Sequence, residues 1–186
     1  IAAALVLTRS RGGQVALAAV LGAYFVRRHG KLQGALVAAA FAAPLAVLGG
    51  RSGDAASQSS LDRLTTAGAG IKLLLAYPVR GVGYSLYTEH HPLTAHNAYI
   101  LAAAELGIPG LVLFCLVLLL SFKITLAVLD YPFARSDPEA RALRALAMAE
   151  LAALAGLALG VFFLSWTYHF VLWIHLGFSA AFFSVM

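Results

Sequence analysis

The residues best suited to chemistry lie between positions 51 and 97, where Arg51, Asp54, Asp62, Arg63, Lys72, Arg80, Glu89, His90, His91 and His96 interrupt an otherwise apolar chain. His96-Asn97 leads into Ala98-Tyr99-Ile100-Leu101-Ala102-Ala103-Ala104-Glu105-Leu106. That run predicts a helix over 95–106, with Thr94 or Asn97 as its cap and Gly107 and Pro109 ending it. His96 then stands at a helix N-terminus, where the dipole favours imidazole over imidazolium and so suits a proton acceptor. Free amides at the same end can hold an anion. His90, His91 and His96 are ligand types that zinc accepts, but no second shell accompanies them, and the chemistry considered below calls for no metal and no cofactor. Gly81-Val82-Gly83 lacks the preceding strand, third glycine and following helix of a dinucleotide site. Cys115 is the single cysteine, so no intrachain disulfide or cysteine metal cluster can form.

These residues need a scaffold, and the composition names its solvent. The chain is 61% hydrophobic and 11% charged, with a mean hydropathy of +0.86. The apolar residues gather into runs near the roughly 20 residues needed to cross a bilayer. The expected fold is an all-α, polytopic transmembrane bundle of about six spans, with a long extracytoplasmic loop containing short helices. The spans are expected at about 1–8, 12–26, 32–50, 108–129, 145–165 and 168–186, the loop at 51–97. Leu61 to Tyr77 reads as an interfacial helix, weakened by Gly68 and Gly70. Tyr77-Pro78-Val79-Arg80-Gly81-Val82-Gly83 reads as a turn. Trp166-Thr167-Tyr168-His169 reads as a tight interfacial turn between the last two spans. The start at Ile1 and the stop at Met186 inside an apolar run are those of a piece of a longer protein.

Crossing parity carries a deduction. An even number of spans separates the turn at Arg9 and Arg11 from the loop at 51–97, so both face one side. The turn at Arg27, Arg28 and Lys31 and the segment Asp130 to Arg144 face the other. Three Lys/Arg at 27–31 and four in 123–144 stand against two at 9–11 and four in the loop. The bias is slight, and the compact triplet puts the long loop outside the cytoplasm. The net charge of +5 and pI near 9.7 do not indicate nucleic acid, because the basic residues sit between apolar runs and not on a polar face. Glu150 falls within an apolar run, where an ionisable group is a functional candidate by default. His169 and His175 read as packing residues. Glu105, out of helical register with His96, is expected to pin its helix to the loop.

His96-Asn97, nine residues, and then Gly107-Ile108-Pro109-Gly110-Leu111 resemble the signature of the O-antigen ligase and polymerase family. Ser10-Arg11-Gly12 opening a span and Pro78-Val79-Arg80-Gly81-Val82-Gly83 upstream agree in order and spacing. The likeness covers roughly residues 8 to 130. It implies a membrane glycosyltransferase of the bacterial inner membrane, with its active loop on the periplasmic side. Such an enzyme passes a glycan from undecaprenyl diphosphate to an acceptor hydroxyl, on lipid A core for a ligase or on a growing glycan for a polymerase. A diphosphate leaving group needs fixed positive charge, which Arg supplies with bidentate geometry and without a metal. Arg11 and Arg63 are the first candidates, and His96 is the candidate for orienting or deprotonating the acceptor. Arg80, Arg51, Asn97 and His91 are the further substrate-binding candidates.

Simpler readings exist for each residue. An Arg at a span end often only anchors to headgroups, and a His before a helix can be a cap. A small-solute or anion transporter would use the same arginines, but transporters place their sites near the bilayer midplane, whereas these polar residues gather in the loop. In a non-catalytic membrane scaffold the ordered Arg, Arg and His would be coincidence.

Overall fold

The computed structural model describes residues 10–48, 54–134 and 136–185, and every regular element among them is a helix. The expected span at 1–8 and the candidate Arg51 lie outside the described residues.

Helix α1, Arg11–His29, is capped by Ser10, whose side chain accepts the Gly13 N–H at 3.2 Å. Its last turn carries Arg27, Arg28 and His29, cations at the negative end of the dipole. Gly30, at φ 101°, ends it by donating to the Val26 carbonyl. The chain then folds back as α2, Lys31–Leu48. A Cβ on Gly34 would meet the Val26 backbone within 2.7 Å, so the hairpin closes on a glycine. These two helices occupy the second and third expected spans.

The long loop departs from expectation. Its first half is not a set of short helices but one helix of 23 residues, α3, Asp54–Ala76. Of the two glycines that weakened the forecast, Gly70 makes a tertiary contact, since a Cβ there would lie 2.4 Å from Ile100 and 3.4 Å from the Tyr87 ring, whereas Gly68 faces open space. After the short α4, Tyr87–His90, comes α5, Ala98–Asp130, the longest helix at 33 residues. Asn97 caps it, and at Gly107 (φ 71°, ψ −170°) the backbone leaves helical geometry, so two helical segments meet at a kink where the break was expected. Helix α6, Pro138–Gly160, starts earlier than the fifth expected span. Asp137 caps it and Pro opens it, and a 3₁₀ turn Val161–Phe163 continues it. Helix α7, Phe170–Ala181, passes into a second 3₁₀ turn, Phe182–Val185.

Among the described residues two stretches are long and apolar enough to cross a membrane, Ala98–Asp130 and Pro138–Phe163, and Phe170–Ser184 is a shorter apolar one. On α5 the outward residues Leu113, Leu119 and Leu120 are each more than half exposed. Exposed leucines along a helix of this length are compatible with a surrounding bilayer. Facing inward, Ala98, Ala102, Phe114, Leu118, Leu154, Val161, Leu172 and Leu176 form the largest buried cluster, joining α5, α6 and α7.

Helix α6 meets α1 through Gly156 and Gly160, four residues apart. A Cβ on Gly156 would come within 2.5 Å of Val20, and one on Gly160 within 3.7 Å of Ala16. Small residues at this spacing let two backbones approach closely. Gly156→Leu should therefore cost about 1–3 kcal/mol by overpacking, read as a lower melting temperature of the detergent-purified protein. Unchanged melting would mean that α1 and α6 do not pack there.

Glu150 is buried and accepts from Ser179 (3.1 Å), with His175 Nδ1 at 2.8 Å from its other oxygen. His175 is thus not simply a packing residue. It and Ser179, one turn apart on α7, satisfy a carboxylate on α6 that would otherwise be stranded among apolar side chains.

Candidate functional site

The first turn of α1, the middle of α3 and the end of α6 surround one cavity of about 270 Å³. Ser10, Gly12 and Gly13 form one wall, Gly160, Phe163, Leu164 and Trp166 another, and Arg63 a third. The leading amides of α1 have no intrahelical acceptor, and the positive end of its dipole lies here. Among the described residues no carboxylate lines the cavity, and Arg63 is its one charged side chain, a combination that suits an anion.

Arg63 reaches the cavity over Phe163, with its guanidinium carbon 5.9 Å from the ring centroid. That cation–π geometry orients the cation without neutralising it. Phe163 in turn rests on Gly12, where a Cβ would lie 2.9 Å from its side chain. The Ser-Arg-Gly run therefore places a glycine where the ring beneath Arg63 needs room. Arg11 is the first residue of α1, between two cavity-lining neighbours, and its side chain lies outside the described set.

His96 belongs to the same region. Its backbone N–H donates to Ser165 Oγ at 2.8 Å, and Ser165 stands between the cavity residues Leu164 and Trp166. His96 adopts φ 50°, a left-handed conformation that His tolerates better than most residues. Asn97 follows as the cap, accepting the Tyr99 and Ile100 amides at 2.9 and 3.0 Å, so its carbonyl oxygen is engaged in shaping the helix start. From the other side, the fully buried Thr66 donates to the Arg63 carbonyl (3.0 Å) and more weakly to that of Ala95 (3.5 Å). One hydroxyl thus ties the turn carrying Arg63 to the residue before His96. Thr167 closes the third side by donating to the Ala98 carbonyl at 2.7 Å.

The remaining candidates sit elsewhere. The turn carrying Arg80 docks on the kink of α5: Val82 and Gly83 donate to the Ala104 and Glu105 carbonyls (both 2.9 Å), and Ile108 donates to Pro78 (2.8 Å). Gly81 and Gly107, both at positive φ, permit the contact, since a Cβ on either would strike the opposite backbone. Two runs far apart in sequence are thus halves of one interlock. Arg80 is exposed on that turn and does not line the cavity. His91 braces its own bend, with Nδ1 3.2 Å from the Leu93 amide.

Glu105 pins its helix to the loop as expected, accepting the Tyr87 amide at 3.1 Å. Its other oxygen and the Tyr168 hydroxyl are both buried. Burial pushes the Tyr168 phenol well above the usual tyrosine range, and the Glu105 carboxylate pushes the same way. Among the described residues, no group of three or more His, Cys, Asp or Glu is arranged to hold a metal ion.

Sequence reasoning missed Ser165, Thr66 and Phe163. The only available signal was the polar-aromatic run at 165–169, which reads equally well as an interfacial turn.

No curated protein and no solved structure gives a match. A family model described as O-antigen ligase matches residues 1–115. That match spans the Ser-Arg-Gly turn, Arg63, His96-Asn97 and the interlocked glycines, and the chain belongs to this family of glycan-transferring membrane ligases.

Proposed function

We propose that the cavity holds the diphosphate of an undecaprenyl-diphosphate-linked glycan between Arg63 and Arg11, and that His96 serves the acceptor hydroxyl. The observation that carries this reading is the meeting of Arg63 and the N-terminal turn of α1 at one cavity with no carboxylate among its described lining residues, beside the hydrogen bond of the His96 amide to Ser165, which stands between the lining residues Leu164 and Trp166. The acceptor oxygen attacks the anomeric carbon. A new glycosidic bond forms as the carbon–oxygen bond to the diphosphate breaks, and undecaprenyl diphosphate departs with the electron pair. The hydroxyl proton passes to His96. Charge growing on the leaving group meets fixed guanidinium and helix amides that need no reorganisation. The cavity, about 270 Å³, is just below the usual ligand-pocket range of roughly 300–1,000 Å³, so glycan and prenyl chain extend beyond it.

This reading uses the six-crossing topology, with the 51–97 region and the 166–169 turn on the periplasmic face of the bacterial inner membrane and Arg27, Arg28 and Lys31 on the cytoplasmic face. The preferred acceptor is lipid A core. A repeat-unit polymerase would use the same donor site and differ only in acceptor.

In a host lacking its own ligase, Arg63→Ala should lower glycan attachment to lipid A core by about 100- to 1,000-fold at normal membrane levels. Arg63→Lys should recover part of it, keeping charge but losing the planar fork. Attachment unaffected by Arg63→Ala would overturn the donor assignment. Lengthened polysaccharide without attachment, from the unaltered protein, would make the acceptor a growing glycan.

A further inference from the structure

A second concave site lies at the opposite end of α1. Arg27, Arg28 and His29 from α1 and Arg141 and Arg144 from the start of α6 line a cavity of about 940 Å³. With 19 residues in α1, this end lies roughly 28 Å from the Ser10 end at about 1.5 Å per residue, close to the ~30 Å of a hydrocarbon core. The two cavities share no lining residue.

Two features separate this cluster from a scatter of interfacial arginines. First, among the described residues no carboxylate lines it. Asp130 pairs with Arg27, and Asp137 is spent capping α6, leaving Arg28, Arg141 and Arg144 in excess. Second, Arg144 is held in place. Its Nη2 donates to the Tyr131 carbonyl at 2.8 Å, and its guanidinium carbon lies 5.9 Å from the Phe133 ring centroid. Its Nε is nevertheless buried without a partner. A buried, positioned and unsatisfied donor beside three further arginines awaits an anion.

We propose that this cavity binds the phosphate headgroup of an anionic phospholipid. It opens between the C-terminal end of α1 and the first turns of α6, and α6 belongs to a stretch apolar and long enough to cross a membrane, so a ligand there has its headgroup at the helix end and its acyl chains beside apolar helix. Its volume exceeds what a bare phosphate needs and falls within the roughly 300–1,000 Å³ of ligand pockets. Basic pockets between membrane helices take anionic headgroups by this means. The inference does not draw on the glycan-transfer reading.

The test uses the detergent-purified protein and short-chain phosphatidylglycerol, with binding followed by native mass spectrometry. Arg28→Gln with Arg141→Gln removes two exposed cations and leaves the Arg144 anchor intact. Each cation near an anionic headgroup contributes roughly fivefold in affinity, so the double variant should bind about 25-fold more weakly while melting like the unaltered protein. Unchanged binding by the double variant would overturn the proposal. So would equal binding of phosphatidylcholine, which would mean an acyl-chain contact only, or displacement by millimolar inorganic phosphate, which would mean a small-anion site.

Discussion

His96→Ala lowers glycan transfer by about 100- to 10,000-fold, the usual contribution of a positioned proton-transfer group, and leaves the protein's amount in the membrane unchanged. The second half follows from how the residue is held. Its tie to the rest of the molecule is a backbone N–H to Ser165 Oγ, which truncation of the side chain does not remove, and the helix behind it is capped by Asn97. The φ of 50° is mildly unfavourable for alanine. His96→Asn is therefore the companion variant, since Asn accepts positive φ and keeps hydrogen-bonding capacity without a useful base. If His96 only orients the acceptor, Asn retains much of the activity; if it takes the proton, Asn is as poor as Ala. The assay is glycan attachment per mole of enzyme in isolated membranes. Transfer by His96→Ala at the unaltered rate would remove the centre of the mechanism.

The second large effect is on stability. Gly81→Val and Gly107→Val each force a β-branched residue into positive φ and drive a Cβ into backbone: 2.3 Å from the Glu105 carbonyl carbon for Gly81, 2.7 Å from the Pro78 oxygen for Gly107. Backbone on both sides cannot give way as a flexible side chain would. Strain of roughly 1–3 kcal/mol per residue adds to hydrogen bonds lost at the interlock, about 1–3 kcal/mol for each group left buried and unpaired. Against the 5–15 kcal/mol available to an ordinary domain, either variant should leave little folded protein in the membrane. Gly68→Ala is the control. Nothing lies within 4 Å of its Cβ position, and the change should be neutral or slightly stabilising to α3. Yield and fluorescence-detected size-exclusion profiles of tagged protein read the outcome. Gly107→Val accumulating and eluting like the unaltered protein would show that the interlock contributes nothing.

The effects of Arg63→Ala and Gly107→Val should differ in kind. Arg63 reaches the cavity across a ring, and its removal leaves the backbone untouched, so activity falls while the protein persists. Gly107 touches no ligand in the mechanism, yet its α5 kink receives the turn that precedes α4 and, through Glu105, the start of α4 itself. Activity and abundance should fall together.

Much of this was legible in the residues, wherever the deciding interaction is local. Ser10 before Arg11, Asn97 before Ala98, Asp137 before Pro138 and Gly30 after His29 set helix ends through bonds spanning two to four residues. Glycine at 107 permits a backbone angle that other residues resist, so the break in α5 was readable in advance. The family likeness was also legible. Arg27 pairs with Asp130, and Arg63 shares a cavity with Ser10.

Tertiary structure decided the rest, because partners distant in sequence depend on how each helix is rotated and how closely it approaches its neighbour. No local pattern says that Ser165 will receive the amide of His96, 69 residues away, that Phe163 will lie beneath Arg63, or that Glu150 will be satisfied by His175 and Ser179. Helix α3 shows the same limit. Its glycines argued locally against a long helix, yet one runs from Asp54 to Ala76, and the room that Gly70 leaves for Ile100 and Tyr87 is a contact no local pattern shows. The sequence by itself determined the solvent, the caps, the kink and the chemical character of the loop. The packing of α1 against α6 and of the α5 start against the 165–167 turn decided which of those residues stand together, since only close approach of small side chains brings their backbones within bonding distance.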